Sequence, residues 1–279
     1  MAFHEFITKS PSKVLVPFIS FYFQQRFSDN KQDDSHQFRQ VTLPTGYNFI
    51  GFNFSNPIEF DIWGQSSSLV NYPIYFSGQY DSLYSIDFSR NADLFGVVLR
   101  PTATRHLTKM PINELRNSVI EGDYHISKDL KELHEKIANT SFQRRIQQFE
   151  QWFMTKFRST RQDAVFTDWA VEEIIKHKGV ITTNMLAKEL KVSERHLQRS
   201  FKERIGLRPH QYATIIKINH IVNDFNRNNM NLIDLLCHYQ YHDKSHFRKQ
   251  FKALTQTTLA SYLGFQNEAA QTFLNQIAF

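Results

Sequence analysis

Ser193-Glu-Arg-His-Leu-Gln-Arg-Ser-Phe-Lys202 and Asp243-Lys-Ser-His-Phe-Arg-Lys-Gln-Phe-Lys252 lie 50 residues apart and align position by position. His196 falls on His246, Leu197 on Phe247, Arg199 on Lys249, Phe201 on Phe251 and Lys202 on Lys252. Further out, Leu186 falls on Leu236, Ala187 on Cys237 and Tyr212 on Tyr262. A repeat of this kind marks two copies of one supersecondary unit. Each copy reads as a short helix, a tight connection and a second helix, which is the helix-turn-helix layout. The copies span about 183–205 and 232–255.

In the first copy the apolar spacing turns Leu186, Ala187 and Leu190 inward from the short helix, places Val192 in the turn, and turns Leu197 and Phe201 inward from the second helix. Ala187 is small where two steeply crossing helices approach. By the same alignment Cys237 is expected in the core of the second copy. Thr183 and Ser193 are expected N-caps. What stays outward on the second helix is Glu194, Arg195, Gln198, Arg199 and Lys202, and in the second copy Lys244, Ser245, Arg248, Lys249 and Lys252. A stripe of long hydrogen-bond donors suits the major groove, where Arg can bond guanine bidentately and Gln adenine, while Lys or an N-terminal Ser meets phosphate. On this reading Ser193, Lys202, His246, Arg248 and Lys252 contact phosphate. A solvated helix face is the bland alternative, and the repeat weighs against it.

Between the copies, Gly206 closes one helix and Pro209 opens the next, which runs to about Asn226 and would span roughly 25 Å at 1.5 Å per residue. Two units on such a linker can set both second helices about 34 Å apart, one turn of B-DNA. Charge agrees. Residues 161–279 hold 16 Lys and Arg against 11 Asp and Glu, whereas residues 1–160 hold 17 against 16. A basic part beside a neutral one points to a polyanion partner for the first.

The N-terminal half differs. From Val14 to about Arg100, runs such as Phe49-Ile-Gly-Phe-Asn-Phe and Leu94-Phe-Gly-Val-Val-Leu are aromatic and β-branched, with Gly, Pro, Asn and Ser between them. They predict a β-rich sandwich, cupin-like or a small barrel. Val14–Phe27 stays open between helix and strand. Its aromatics Phe18, Phe21, Tyr22 and Phe23 are expected in the core, with an effector pocket as the other reading. Helical spacing starts near Asn113 and is clear over Lys128–Phe157, where Leu130, Leu133, Ile137, Ile146, Phe149 and Phe153 predict a helix pair broken near Asn139-Thr140-Ser141. The polar stretch Arg158–Asp163 sets the boundary between a β-rich domain over 1–160 and an all-α domain over 161–279, an α+β chain.

At the repeat, LAKELKVSERHLQRSFKERIGLRP (Leu186–Pro209) and YHDKSHFRKQFKALTQTTLASYL (Tyr241–Leu263) resemble the AraC/XylS family of bacterial transcription activators. The resemblance covers roughly 165–265 and fixes residue types at many positions. It implies that Arg195, Gln198 and Arg199, and Lys244, Ser245 and Lys249, approach base edges of double-stranded DNA. Three positions depart from the family. Gln240 and Gln256 stand where it usually has glycine, and Leu259 where it has proline. The second turn must then hold a side chain in a left-handed conformation, at a cost of order 1 kcal/mol. Phe95-Gly-Val-Val-Leu-Arg-Pro101, with Leu107 and Pro111-Ile-Asn-Glu-Leu, is similar to a phrase of sensor domains in some such regulators, and implies a role in effector binding or pairing of protomers.

Other classes are less well supported. With 41% hydrophobic residues and a mean hydropathy of -0.46, the composition is that of a soluble globular protein. No apolar run approaches the roughly 20 residues of a membrane span, and Met1–Ser10 does not read as a signal peptide, so a cytoplasmic location is expected. The one cysteine agrees with a reducing compartment. His238, His242 and His246 recur every four residues, but the expected turn at Gln240–His242 breaks the helix they would need, so no metal or cofactor is expected. An enzyme carrying a helix-turn-helix unit, as in DNA repair, needs a catalytic constellation. No phosphate loop, Ser/His/Asp set or reactive cysteine is read here, so no catalytic residue is assigned. An architectural protein without sequence preference is the third class. The expected partners are DNA, a small-molecule effector, RNA polymerase and a second copy of the chain, with no membrane.

Overall fold

Asn48–Asn53 is buried at every position, an unusual pattern for an antiparallel strand, which commonly shows one face to water. The cause is a layer on each side of it. The computed structural model describes residues 3–28, 38–63, 68–88, 91–108, 110–157, 166–228, 230–265 and 268–277. Its strands are β1 (Phe3–Lys9), β2 (Ile19–Ser28), β3 (Phe38–Thr42), β4 (Asn48–Asn53), β5 (Ile58–Ile62), β6 (Ser68–Val70), β7 (Ile74–Ser77), β8 (Tyr84–Phe88), β9 (Asn91–Leu99) and β10 (Val119–Glu121). They form an antiparallel sheet in the order β1-β2-β9-β4-β7-β10 and a second in the order β3-β8-β5-β6.

Side chains alternate across a strand, so β2, β4 and β9 divide their residues between two cores. Phe21, Phe23, Phe49, Leu94 and Val98 meet the second sheet. Tyr22, Ile50, Phe52, Phe95, Val97 and Leu99 meet a helix pair. That pair is α2 (Asp129–Ile137) and α3 (Phe142–Phe157), after a single turn α1 (Gly122–His125). Leu130, Leu133, Ile137, Ile146, Phe149 and Phe153 are all buried on the sheet, and the break between the helices falls where the sequence places it. The stretch after Asn113 is not the helix start that the spacing suggests. It holds a 3-10 turn (Ile112–Leu115) and then β10, which completes the large sheet. Val14–Phe27 resolves into β2 after a short turn. The expected boundary at Arg158–Asp163 lies outside the described residues.

One charge crosses the helix-facing core. Arg145 of α3 is fully buried and uses all its N–H groups. Nη1 donates to Asp93 Oδ1 at 2.6 Å and to Gln24 Oε1 at 3.2 Å. Nη2 donates to Asp93 Oδ2 at 2.8 Å and to the Ala138 carbonyl at 2.7 Å, and Nε donates to the Ile137 carbonyl at 3.3 Å. Its guanidinium carbon also lies 4.2 Å from the Phe54 ring centre. The last carbonyls of α2, which have no helical partner, are thereby satisfied. Burial pushes the Asp93 carboxyl up, but hydrogen bonding and charge from Arg145, with help from Arg26, outweigh it and hold the pKa below its ordinary value.

The remaining helices are α4 (Phe166–Lys176), α5 (Thr183–Glu189), α6 (Glu194–Ile205), α7 (Pro209–Asn228), α8 (Leu232–His238), α9 (Lys244–Thr255), α10 (Leu259–Phe265) and α11 (Glu268–Ile277). They dock on the β-rich part rather than standing clear of it. Arg105 makes a bidentate pair with Asp168 of α4 at 2.5 and 2.6 Å, and Arg100 reaches Glu172 at 2.9 Å. From α7, Asn219 donates to the Pro44 carbonyl at 2.7 Å. Beyond α9, Gln256 donates to the Trp63 carbonyl at 2.8 Å, and the Phe265 and Trp63 rings meet edge to face at 5.7 Å.

Candidate nucleic-acid interface

The two helix-turn-helix units are α5 with α6 and α8 with α9. Thr182 caps α5, one residue before the expected Thr183, accepting from the Met185 N–H at 3.2 Å. The second helices start alike. Ser193 Oγ accepts from the His196 N–H at 3.2 Å, and Asp243 Oδ1 accepts from the His246 N–H at 2.7 Å. A capping acceptor satisfies an N–H that the helix leaves unpaired. It leaves the Ser193 hydroxyl its own proton to donate outward. At the far ends, Gly206 and Gln256 both take the left-handed conformation, with φ of 91° and 57°. Leu197, Phe201 and Ile205 of α6, and Phe247, Phe251 and Leu254 of α9, are buried.

The short helices pair one residue out of the 50-residue register. In the first unit Lys191 is left-handed, and the Val192 N–H donates to the Ala187 carbonyl. In the second, Gln240 is left-handed, and the Tyr241 N–H donates to the Leu236 carbonyl. Ala187 therefore corresponds to Leu236 and Leu186 to Leu235, one residue short of the 50-residue shift that α6 and α9 obey. The second turn holds an extra residue, His242, between the inward Tyr241 and the capping Asp243. Cys237, expected in the core, is exposed as a result, while Leu235 and Leu236 are buried. The same turn parts His238 on α8 from His246 on α9.

Gln240 holds φ 56°. The left-handed conformation costs a side-chain-bearing residue about 1–2 kcal/mol, and glycine returns about 0.4–1 of that through the unfolded chain. Gln240→Gly is thus expected to stabilise the protein by about 0.5–1 kcal/mol, read as a higher urea midpoint at unchanged slope. A lower midpoint would show that the side chain contributes more than its backbone strain costs.

Arg195, Arg199 and Lys202 are exposed on α6, and Gln198 is half-buried beside them. On α9, Lys244, Ser245, His246, Arg248, Lys249 and Lys252 are all exposed. The structure separates two rows on α9. Ser245 and Lys249, one turn apart, occupy the places of Arg195 and Arg199. Lys244, Arg248 and Lys252 form a second row along a cleft floored by Phe225, Leu232, Phe247 and Leu263. Lys244, assigned to base edges with Ser245, thus shares an edge with the residues assigned to phosphate. Behind the reading helices, the 20 residues of α7 run for about 30 Å. Tyr241 ties the second unit to α7, with Lys217 Nζ 4.7 Å from its ring centre and its hydroxyl bonded to Gln250, which donates to Thr214 at 3.3 Å. Among the described residues no group of three His, Cys, Asp or Glu side chains could hold a metal ion, and no helix is long and apolar enough to cross a membrane.

Sequence reasoning missed α11 altogether. Ala269, Ala270, Phe273, Leu274 and Ile277 recur at helical spacing and are all buried, but they lie beyond the repeat. Phe273 reaches the β-rich part, with ring centres 5.5, 5.8 and 5.6 Å from those of Phe21, Phe23 and Phe49.

Residues 186–264 match the family model described as a helix-turn-helix domain, and residues 8–121 match one described as a domain of unknown function, DUF6597. No curated protein matches the chain. Among solved structures it is similar to ToxT from Vibrio cholerae O395, with 12% identity, 96% of this chain and 98% of that chain covered, and a TM-score of 0.46. The 1.65 Å structure of ToxT from Vibrio cholerae has the same identity, coverage of 95% and 99%, and a TM-score of 0.48. The AraC-like transcriptional activator CuxR shares 14% identity over 71% of this chain and 80% of its own, with a TM-score of 0.30. With two capped helix-turn-helix units on one linker helix, and the family match falling across them, the chain carries a helix-turn-helix domain over residues 186–264 and is a DNA-binding transcription regulator.

Proposed function

We propose that the protein activates transcription by setting α6 and α9 into successive major grooves of one duplex. Arg195, Gln198 and Arg199 from the first unit, and Ser245 and Lys249 with Lys244 from the second, meet base edges. Ser193, Lys202, His246, Arg248 and Lys252 hold phosphates. The β-rich half takes the signal, with the space between its sheets as the effector site. RNA polymerase and a second copy of the chain are the protein partners, the cytoplasm is the place of action, and no catalysis is assigned. The observation that carries this reading is the exposed stripe of hydrogen-bond donors at matching positions of a repeated, capped unit, Arg195, Arg199 and Lys202 on α6 over Ser245, Lys249 and Lys252 on α9. Arg forks recognise guanine edges, and clustered Lys and Arg exchange counterions with phosphate.

Selection from a random duplex pool tests it, because a reader of two grooves enriches two short motifs about one helical turn apart. Enrichment of no motif would leave only non-specific binding. Within the same assay, Lys202→Ala is expected to weaken selected and random duplexes alike and to lower the salt slope by about one, as for one lost phosphate contact. A loss confined to the selected duplex would move Lys202 to the base-reading set.

A further inference from the structure

The inner faces of the two sheets enclose an aromatic pocket into which α11 inserts Phe273. With that ring in place the free volume is about 30 Å³, room for only a water molecule or two. A cavity that holds benzene measures roughly 150 Å³. Nothing of that size enters while Phe273 stays, and the volume its ring would vacate adjoins the space already there.

The walls carry polar groups that a phenylalanine cannot use. Thr42 Oγ1 is buried without a hydrogen-bond partner, against the rule that buried polar atoms are paired. Gln25 and Gln40, both buried, are bonded to each other at 3.0 Å. Tyr75, Tyr80 and Tyr84 line the same space, and burial raises each hydroxyl far above its ordinary pKa, so all three stay neutral. Gly51 makes room for one of them, since a Cβ there would lie 2.1 Å from the Tyr75 ring. No charged side chain lines the pocket among the described residues. A charged ligand would therefore enter without a counter-ion, at a high desolvation cost. The plug itself lies outside residues 186–264, the part that matches the helix-turn-helix model.

We propose that Phe273 is a tethered plug: an uncharged aromatic effector with one or two hydrogen-bonding atoms for Thr42 and the Gln25–Gln40 pair displaces it, releasing α11 from the sandwich. This rests on reading the β-rich half as the sensor. Because α11 packs on both α7 and β3, its release loosens the linker helix's hold on the sandwich. Coupling of this kind is reciprocal, so a state that frees α11 must also bind the effector more tightly.

The test titrates the full chain with N-phenyl-1-naphthylamine, a neutral aromatic probe, and with 1-anilinonaphthalene-8-sulfonate, which adds a sulfonate to the same frame. An apparent dissociation constant is divided by the fraction of open pockets, so Phe273→Ala is expected to bind the neutral probe at least about tenfold more tightly than the native chain. The sulfonate should gain nothing. In the native chain, saturating neutral probe should speed amide exchange over 268–277 and slow it over β3 and β4. Equal affinity of both chains, with protection of β3 and β4 but unchanged exchange in α11, would overturn the plug and leave the sensor reading intact. A folded Phe273→Ala that takes up no probe would overturn both, and an equal gain for the sulfonate would overturn the neutral class. Should the variant fail to fold, exchange in the native chain decides, because a bound probe that leaves α11 protected excludes displacement.

Discussion

Arg145→Ala is expected to cost about 3–5 kcal/mol, a large part of the roughly 5–15 kcal/mol that holds a domain folded. An exposed ion pair contributes only about 0–1 kcal/mol, so the size of the loss distinguishes the two situations. Arg145 is fully buried, and its five donors serve Asp93, Gln24 and the closing carbonyls of α2. Alanine leaves the Asp93 carboxylate to Arg26 alone, strips this donor from the Gln24 and Ala138 oxygens while the Ile137 carbonyl keeps Thr140, and opens a void beside Phe54. Arg26, 3.4 Å from Asp93 and partly exposed, replaces little of this. The pH dependence carries a sign. The pKa of Asp93 is depressed in the folded protein, so the pair's contribution is complete above the unfolded carboxyl pKa and is lost as pH falls through the folded value. Urea unfolding should therefore show native stability falling more steeply in acid than that of Arg145→Ala. A loss under about 1 kcal/mol with parallel acid limbs would make the pair incidental.

Why the repeat was legible and Arg145 was not is a matter of range. Leu197 and Phe201, like Phe247 and Phe251, declare a helix face within four residues, and Ser193 and Asp243 cap it within three. Such signals are local. Arg145 looks like any polar residue on an amphipathic helix, and what buries it is a carboxylate 52 residues away on β9. Gln240 and Gln256 show the opposite case, since the glycine expected at each place announced a left-handed backbone, which both residues adopt. Cys237 departs from the aligned position because one shift does not carry through a turn of different length. His242 is the extra residue, and the adjacent apolar pair Leu235-Leu236 was the sign that the inward positions had moved. For the sandwich, aromatic and β-branched runs marked β4 and β9, but their pairing and the burial of both faces depend on partners distant in the chain. Phe273 belongs to the same class. Its helix could be read from the spacing of Ala269, Ala270, Phe273, Leu274 and Ile277, whereas its seat against Phe21, Phe23 and Phe49 could not.

The joint replacement Arg199→Ala with Lys249→Ala is expected to cost about 2–6 kcal/mol on the selected duplex, or roughly 30-fold to 10⁴-fold in affinity. The two positions are equivalent by the repeat, exposed, and carried on separate helices. They share no contact, so their single losses should add to within about 0.5 kcal/mol. They should not be equal. A guanidinium matches the two acceptors of guanine as a fork, while an ammonium is a point charge, so Arg199→Ala should lie nearer the upper end of about 1–3 kcal/mol and Lys249→Ala nearer the lower. Anisotropy titrations at one fixed salt concentration, on the selected duplex and on a scrambled one, separate the outcomes. A double variant no weaker than Arg199→Ala alone would mean that only the first unit touches bases, and equal losses on both duplexes would make the two residues phosphate clamps. An additive, duplex-dependent loss requires both units on the same molecule of DNA. Since both helices hang on α7, that result would also make the linker helix, through its seat on the sandwich at Pro44, the part through which a signal from the sheets could alter how DNA is read.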